Sequence, residues 1–251
     1  QRIALEQLEQ AVRSLQQRDG DLHEAVNDVR KCCKKIRGLL RLVRDPLGED
    51  RYKSENRYFR DTARLLAPLR DSHVHLETVG LLLDDYRDSL EPEAFSDLQA
   101  LIKNRRHVTG ENLKEQGRIE EAESRLAESR ERIDNWRLSD TAFDGLGEGL
   151  GRVYRRGRKG LSKASESATA ESFHEWRKRV KYLWYHLRLL RNVWPALLQP
   201  LAKEVHHLSD LLGDGHDLAE LSEFLEAEEC GPLPSRSKEA LQGVSHVRRI
   251  D

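Results

Sequence analysis

The chain is predicted to be all-α and to fold as two similar four-helix halves. Three observations predict it: a charge-rich, aromatic-poor composition, breaker residues at helix-length intervals, and one motif that occurs twice in the same register. Charged residues make up 35% of the sequence and aromatics only 6%, the balance of amphipathic helices with solvated outer faces rather than of a sandwich or barrel. With 251 residues there is material for a sizeable core in a single domain, divided at 1–136 and 137–251.

Breakers fix the elements in order. A first helix over about 3–18 runs into Asp19-Gly20-Asp21. A second, 23–44, stops before a loop opened by Pro46 and Gly48, and a third spans 55–89. Pro92 sits in the first turn of the fourth, 92–135, because the missing proline N–H has no intrahelical partner to lose there. The fifth and sixth cover 140–164 and 169–194, the latter ended by Pro195. The seventh, 196–228, carries Pro200 in its first turn, and Cys230-Gly231-Pro232-Leu233-Pro234 separates it from the eighth, 236–250.

Several functional classes are disfavoured at once. No apolar run approaches the ~20 residues of a bilayer span. Three cysteines, two of them the neighbours Cys32 and Cys33 on one predicted helix, do not make a disulfide framework, so a reducing cytoplasm is expected. With no methionine anywhere, initiator included, the sequence reads as a processed or trimmed chain. A net charge of −1 argues against a general nucleic-acid or membrane binder. The charge is nevertheless segregated: residues 30–44, 152–163 and 177–191 are basic, whereas acids collect at 84–97, 111–131 and 220–229.

The repeat is the most informative feature. Val26-Asn27-Asp28-Val29-Arg30-Lys31-Cys32-Cys33-Lys34 aligns without a gap on Phe173-His174-Glu175-Trp176-Arg177-Lys178-Arg179-Val180-Lys181. Further on, Leu69-Arg70-Asp71-Ser72-His73 aligns with Leu212-Gly213-Asp214-Gly215-His216, as a duplicated four-helix unit requires. Apolar residues at 26, 29, 33, 36, 40 and 43, and again at 173, 176, 180, 183, 187, 190 and 194, form packing seams, with Trp176, Trp184 and Trp194 on or beside the core.

Beside the seam, His174, Arg177, Lys178 and Lys181 fall at i, i+3, i+4 and i+7 and line one helix flank; Asn27, Arg30, Lys31 and Lys34 copy them. Axial gaps of roughly 5 Å between such cations match a chain of phosphates. Like charges at this spacing cost a helix roughly 0.2–0.5 kcal/mol per pair, and no relieving acid is read into either strip. Arg152, Arg155, Arg156 and Lys159, with Arg158 and Tyr154 among them, form a third strip. Two such helices facing one another would line a common groove of concentrated positive potential. Guanidinium groups there grip phosphate oxygens bidentately and lysines act as point charges.

These segments resemble the CHAD family, the conserved-histidine α-helical domain. The resemblance rests on residues 27–37, Leu69-Arg70-Asp71, Tyr154-Arg155-Arg156-Gly157-Arg158, residues 174–181 and Leu211-Leu212-Gly213-Asp214. It implies two pseudo-symmetric four-helix bundles around a basic central cavity, and binding of inorganic polyphosphate rather than catalysis. Carried over residue by residue, it implies contacts from Asn27, Arg30, Lys31, Lys34, Arg37, Arg70, Tyr154, Arg155, Arg158, Lys159, His174, Arg177, Lys178 and Lys181. Position 27 departs from the pattern: asparagine stands where the family's first motif has its histidine, so pH dependence is expected to rest on His174.

No cofactor, metal site or catalytic residue is predicted, and the expected location is the cytoplasm, in association with polyphosphate granules. Asp71, Asp214, His73 and His216 read as structural groups. The rival readings are nucleic-acid binding on the same strips and, more weakly, a metal-dependent phosphohydrolase built on His73, His75, His206, His207, His216 and Asp217. Oligomeric state has no signature in the sequence.

Overall fold

The computed structural model describes residues 1–17, 22–85, 92–139 and 142–226, and among them every regular element is an α-helix. In chain order these are α1 Arg2–Gln16, α2 Leu22–Leu42, α3 Arg44–Leu47, α4 Glu49–Leu65, α5 Ala67–Asp85, α6 Pro92–Glu115, α7 Arg118–Asp134, α8 Ala142–Ser167, α9 Ala170–Leu190 and α10 Pro195–Glu226. The described residues form two compact units: those of 1–67 with 117–212, and those of 68–116 with 213–226. This division by contact differs in kind from the division by related sequence at 136.

Boundaries depart from expectation at prolines and glycines. The single helix expected over 55–89 is two, α4 and α5. Pro68 lacks an N–H and its ring would collide with the carbonyl of Arg64, so α4 ends at Leu65 and α5 restarts with Pro68 in its first turn. The helix expected over 92–135 is also two, because Gly117 adopts a left-handed φ of 64° between α6 and α7. Residues 44–47 coil into the short α3 rather than a loop, and α4 begins at Glu49, six positions before the expected start at 55. Pro195 opens α10, which puts Pro200 inside that helix rather than in its first turn. The predicted helix 236–250 and Cys230 lie outside the described residues.

In the first unit α1, α2, α4 and α7 pack in a closed ring, each against its two neighbours. The apolar face of α1 (Ala4, Leu8, Ala11, Leu15) lies on α2, whose predicted seam of Val26, Val29, Cys33, Ile36, Leu40 and Val43 is buried throughout. Both cysteines are free and buried; loss of solvation pushes the Cys32 thiol up to about 11 and that of Cys33 to about 12, so neither is a reactive thiolate. Phe59 of α4 and Leu126 of α7 complete the interior, and the fully buried Glu55 is held by Arg132 at 2.9 Å. Against this ring lie α8 and α9, packed on each other and on α2.

The α9 seam is only partly buried. Val180 and Leu187 are interior, but Phe173 is 40% exposed, and Trp194 is 62% exposed because α9 ends four residues before it. Trp176 and Trp184 are half-buried. In the second unit Val79, Leu82, Leu98 and Ile102 form a core with Leu218, Leu221, Phe224 and Leu225, from α5, α6 and the last part of α10.

Candidate functional site: basic helices around the Gly38–Tyr185 contact

The two helices that carry the repeated motif, α2 and α9, touch at aligned positions. The register that pairs Val26 with Phe173 pairs Gly38 with Tyr185, and a Cβ on Gly38 would stand 3.2 Å from Tyr185 Cβ. Glycine is what allows this approach. Beside it the buried His186 donates from Nε2 to the Gly38 carbonyl at 2.9 Å. Desolvation lowers the His186 pKa to about 4, which keeps the ring neutral. Helix α8 comes as close: a Cβ on Gly149 would fall 2.1 Å from the Leu42 carbonyl oxygen, and Gly160 rests on Trp176.

Around this contact the predicted ladders are distributed as follows. Asn27, Arg30, Lys34, Arg37, His174, Arg177 and Lys181 are all half-buried within the first unit, and each ladder ends one helical turn before the Gly38–Tyr185 contact. Arg30 donates to the Ala63 carbonyl at 2.7 Å and Arg37 to Asn56 Oδ1 at 3.2 Å, so both reach toward α4. On α8 Tyr154, Arg155, Arg158 and Lys159 are exposed; Arg155 lies 3.9 Å from Glu148, whereas Arg158 and Lys159 have no carboxylate partner among the described residues. Arg70 belongs to the second unit, where Asp71, Asp217 and Glu220 surround it at 3.5, 3.8 and 3.6 Å.

One expectation is corrected. The strips are not free of relieving acid: the third motif residue of each copy pairs with the lysine three positions on, Asp28 with Lys31 at 3.8 Å and Glu175 with Lys178. Glu175 also approaches Arg179 at 3.6 Å, and the bond from Lys178 holds its carboxyl below the usual range. Lys31 and Lys178 are thus held by the helical i,i+3 geometry itself.

The structure adds a cluster that no single helix announces. Arg41, Arg44, Arg152, Arg156 and Arg179 converge on a narrow pocket with Tyr52 and Tyr182 in its wall. Arg44 is bidentate to Glu49 (2.6 and 2.8 Å) and Arg152 is bonded to Asp45. Arg41 lies 3.9 Å over the Tyr182 ring and donates to the Arg37 carbonyl; burial first, and then the neighbouring Arg37 and Arg179, lower its pKa. Arg156 has no carboxylate partner among the described residues, and Nη1 of Arg152 is buried without a hydrogen bond. Glu49, Asp45 and Glu175 therefore leave the pocket's five guanidinium groups in surplus, which suits an anion. Its members come from five helices, so only the basic composition of their segments was visible beforehand.

On the other flank of the Gly38–Tyr185 contact lies a second, larger cavity lined at matching positions: Arg188 and Arg191 stand where α2 has Arg41 and Arg44, and Lys35 where α9 has Tyr182.

In the second unit His216, Asp217 and Glu220 bring ligand-type atoms within 4.8 Å of one another, and His216 bonds Glu220 at 3.1 Å. Arg70 stands beside both carboxylates. His206 and His207 fall in the first unit, whereas His73, His75 and His216 fall in the second. No helix among the described residues is long and apolar enough to cross a membrane.

Fold and site together define an all-helical protein whose paired basic helices gather guanidinium groups around one crossing. The family model described as CHAD domain matches residues 2–226, and the chain belongs to the CHAD family. No curated protein matches it.

Proposed function

We propose that this chain binds inorganic polyphosphate on the basic faces of α2, α8 and α9, as a binding module with no bond-making step of its own. The observation that carries the reading is the meeting of the two motif helices at aligned residues, Gly38 against Tyr185. Two helices in contact at equivalent positions are what a pseudo-two-fold relation between four-helix halves produces. Both cationic ladders then end about one turn from the same point, and the five-arginine pocket lies on its flank. The CHAD family is commonly linked to polyphosphate binding, which agrees with this chemistry.

The contacts fall to Asn27, Arg30, Lys34, Arg37, His174, Arg177 and Lys181 on the ladders, to Arg41, Arg152 and Arg156 in the pocket, and to Tyr154, Arg155, Arg158 and Lys159 along α8. Lys31 and Lys178 are tied to their own acids and Arg70 to the carboxylates around it, so a polyanion competes with those acids for them. Guanidinium groups supply paired donors to phosphate oxygens, and counterions displaced from the polyanion add affinity that falls with salt.

A ligand that binds only the folded state raises its melting temperature, so long-chain polyphosphate should shift thermal unfolding upward and show salt-dependent binding by calorimetry. Lys34→Glu with Lys181→Glu should abolish most of that shift with the helical signal unchanged; an undiminished shift defeats the proposal. Transfer RNA or duplex DNA that displaces polyphosphate at physiological salt would move the assignment to nucleic acid.

A further inference from the structure

The cavity opposite the arginine pocket has its own chemistry. It encloses about 260 Å³ between α1, α2 and α9. That volume accommodates the equivalent of roughly eight waters at ~30 Å³ each, just below the usual range of small-ligand sites of ~300–1,000 Å³. About half of its wall is apolar, from Ile3, Ala4, Ile36, Leu39, Leu189 and the ring of Tyr185. Burial pushes the Tyr185 hydroxyl up to about 12, so this wall carries no charge at neutral pH.

Three cations also line the cavity. Lys35 is half-buried, Arg188 and Arg191 are exposed, and none has a carboxylate partner among the described residues. The Arg188 guanidinium lies 5.1 Å over the Trp184 ring, a cation–π contact that leaves its charge unneutralised. The one acid in the lining, Glu6, is paired with Arg2. A buried acceptor, Oε1 of Gln7, has no hydrogen-bond partner. An apolar patch edged by three cations without carboxylate partners differs from the narrow arginine pocket, where five guanidinium groups converge.

We infer that this cavity binds a small amphipathic anion: an aliphatic or aromatic body of about six to ten heavy atoms, carrying a phosphate or carboxylate that Lys35, Arg188 and Arg191 hold at the mouth. The site is separate from the polyphosphate reading and stands or falls without it. Burying apolar surface at ~25 cal/mol per Å² rewards the tail, and the cations reward the head, so neither half of such a ligand alone recovers the affinity.

Calorimetric titration of the whole chain with hexyl phosphate, inorganic phosphate and 1-hexanol separates these contributions. Hexyl phosphate is expected to bind one to one, at least tenfold more tightly than either fragment. Arg188→Gln with Arg191→Gln should lose at least tenfold, and Leu189→Phe, which fills the cavity while leaving the cations, should lose a similar amount. Arg130→Gln, an exposed charge change on α7, should leave the titration as it was. Equal binding of inorganic phosphate reduces the site to a basic surface, and equal binding of hexanol reduces it to an apolar crevice; either overturns the inference, as does full affinity in both variants.

Discussion

The imidazole of His186 donates to the carbonyl of Gly38 at 2.9 Å across the α2–α9 contact, and its other nitrogen, Nδ1, is buried without a partner. A group so placed makes the contact pH-sensitive. Its folded pKa is about 4 against an ordinary 6.5, lowered by burial. Above pH 6.5 the folded and unfolded chains both carry it neutral and it costs nothing. As pH falls from 6.5 toward 4 the unfolded chain takes up a proton that the folded chain refuses, and stability drops by on the order of 3 kcal/mol. His186→Gln keeps a side-chain donor for Gly38 but cannot titrate. Denaturant unfolding at pH 7, 5.5 and 4.5 should show a shallower loss in that variant than in the parent; parallel losses would remove His186 from the account.

Gly149 supplies a steric test of the same assembly. A methyl there would lie 2.1 Å from the Leu42 carbonyl oxygen, so Gly149→Ala must push α8 away from α2. Overpacking of this kind costs about 1–3 kcal/mol. Gly147→Ala, two residues away with nothing near its added carbon, should instead stabilise α8 by about 0.5–1 kcal/mol. Melting temperatures that move in opposite directions for this pair establish the close approach; a common direction argues against it.

How legible these features were in sequence depended on whether a signal lay within one helix. The α2 seam is buried from Val26 to Val43 as its spacing predicts, because periodicity reports a face directly. Thr169 was readable as the start of α9, where its side chain and that of Ser172 complete a reciprocal cap. The α4–α5 break at Leu66 was hidden because the apolar pattern continues through Leu65, Leu66 and Leu69, although Pro68 marked it. The pairing of Asp28 with Lys31 was available from i,i+3 geometry, yet an acid inside a basic motif reads as background until its partner is drawn. The arginine pocket was beyond reach: Arg41, Arg152 and Arg179 meet only because Gly38 and Gly149 let three helices close up.

In the second unit, Arg70 carries a prediction of its own. Bonding from His216 first, and then the nearby Arg70, lower the Glu220 pKa to about 2, while Oε2 of Glu220 and Oδ1 of Asp217 are buried without hydrogen bonds. A depressed carboxyl contributes stability that is complete above its ordinary value of about 4.5 and is lost as pH falls toward 2. Arg70→Leu leaves the two carboxylates facing each other across a partly buried space. Discounted for their partial exposure, the cost is about 1–3 kcal/mol at pH 7. The loss should shrink when Glu220→Gln is added. A double variant no more stable than Arg70→Leu would show that the carboxylate charge is not what Arg70 balances.

Asn27 offers the most direct probe of the proposed ladder. It occupies the position aligned with His174, half-buried and three residues before Arg30, and an amide there donates hydrogen bonds without ever becoming cationic. Asn27→His would restore the matching side chain and add a group that ordinarily titrates near pH 6.5. If phosphates lie along this flank, polyphosphate should bind the variant more tightly at pH 5.5 than at pH 8, by several-fold beyond any change in the parent. Linkage requires the reciprocal effect: saturating polyphosphate must raise the pKa of the new imidazole, which its proton NMR resonance reports. An imidazole that titrates identically with and without polyphosphate would place the ligand somewhere other than the α2 ladder, whatever the overall affinity.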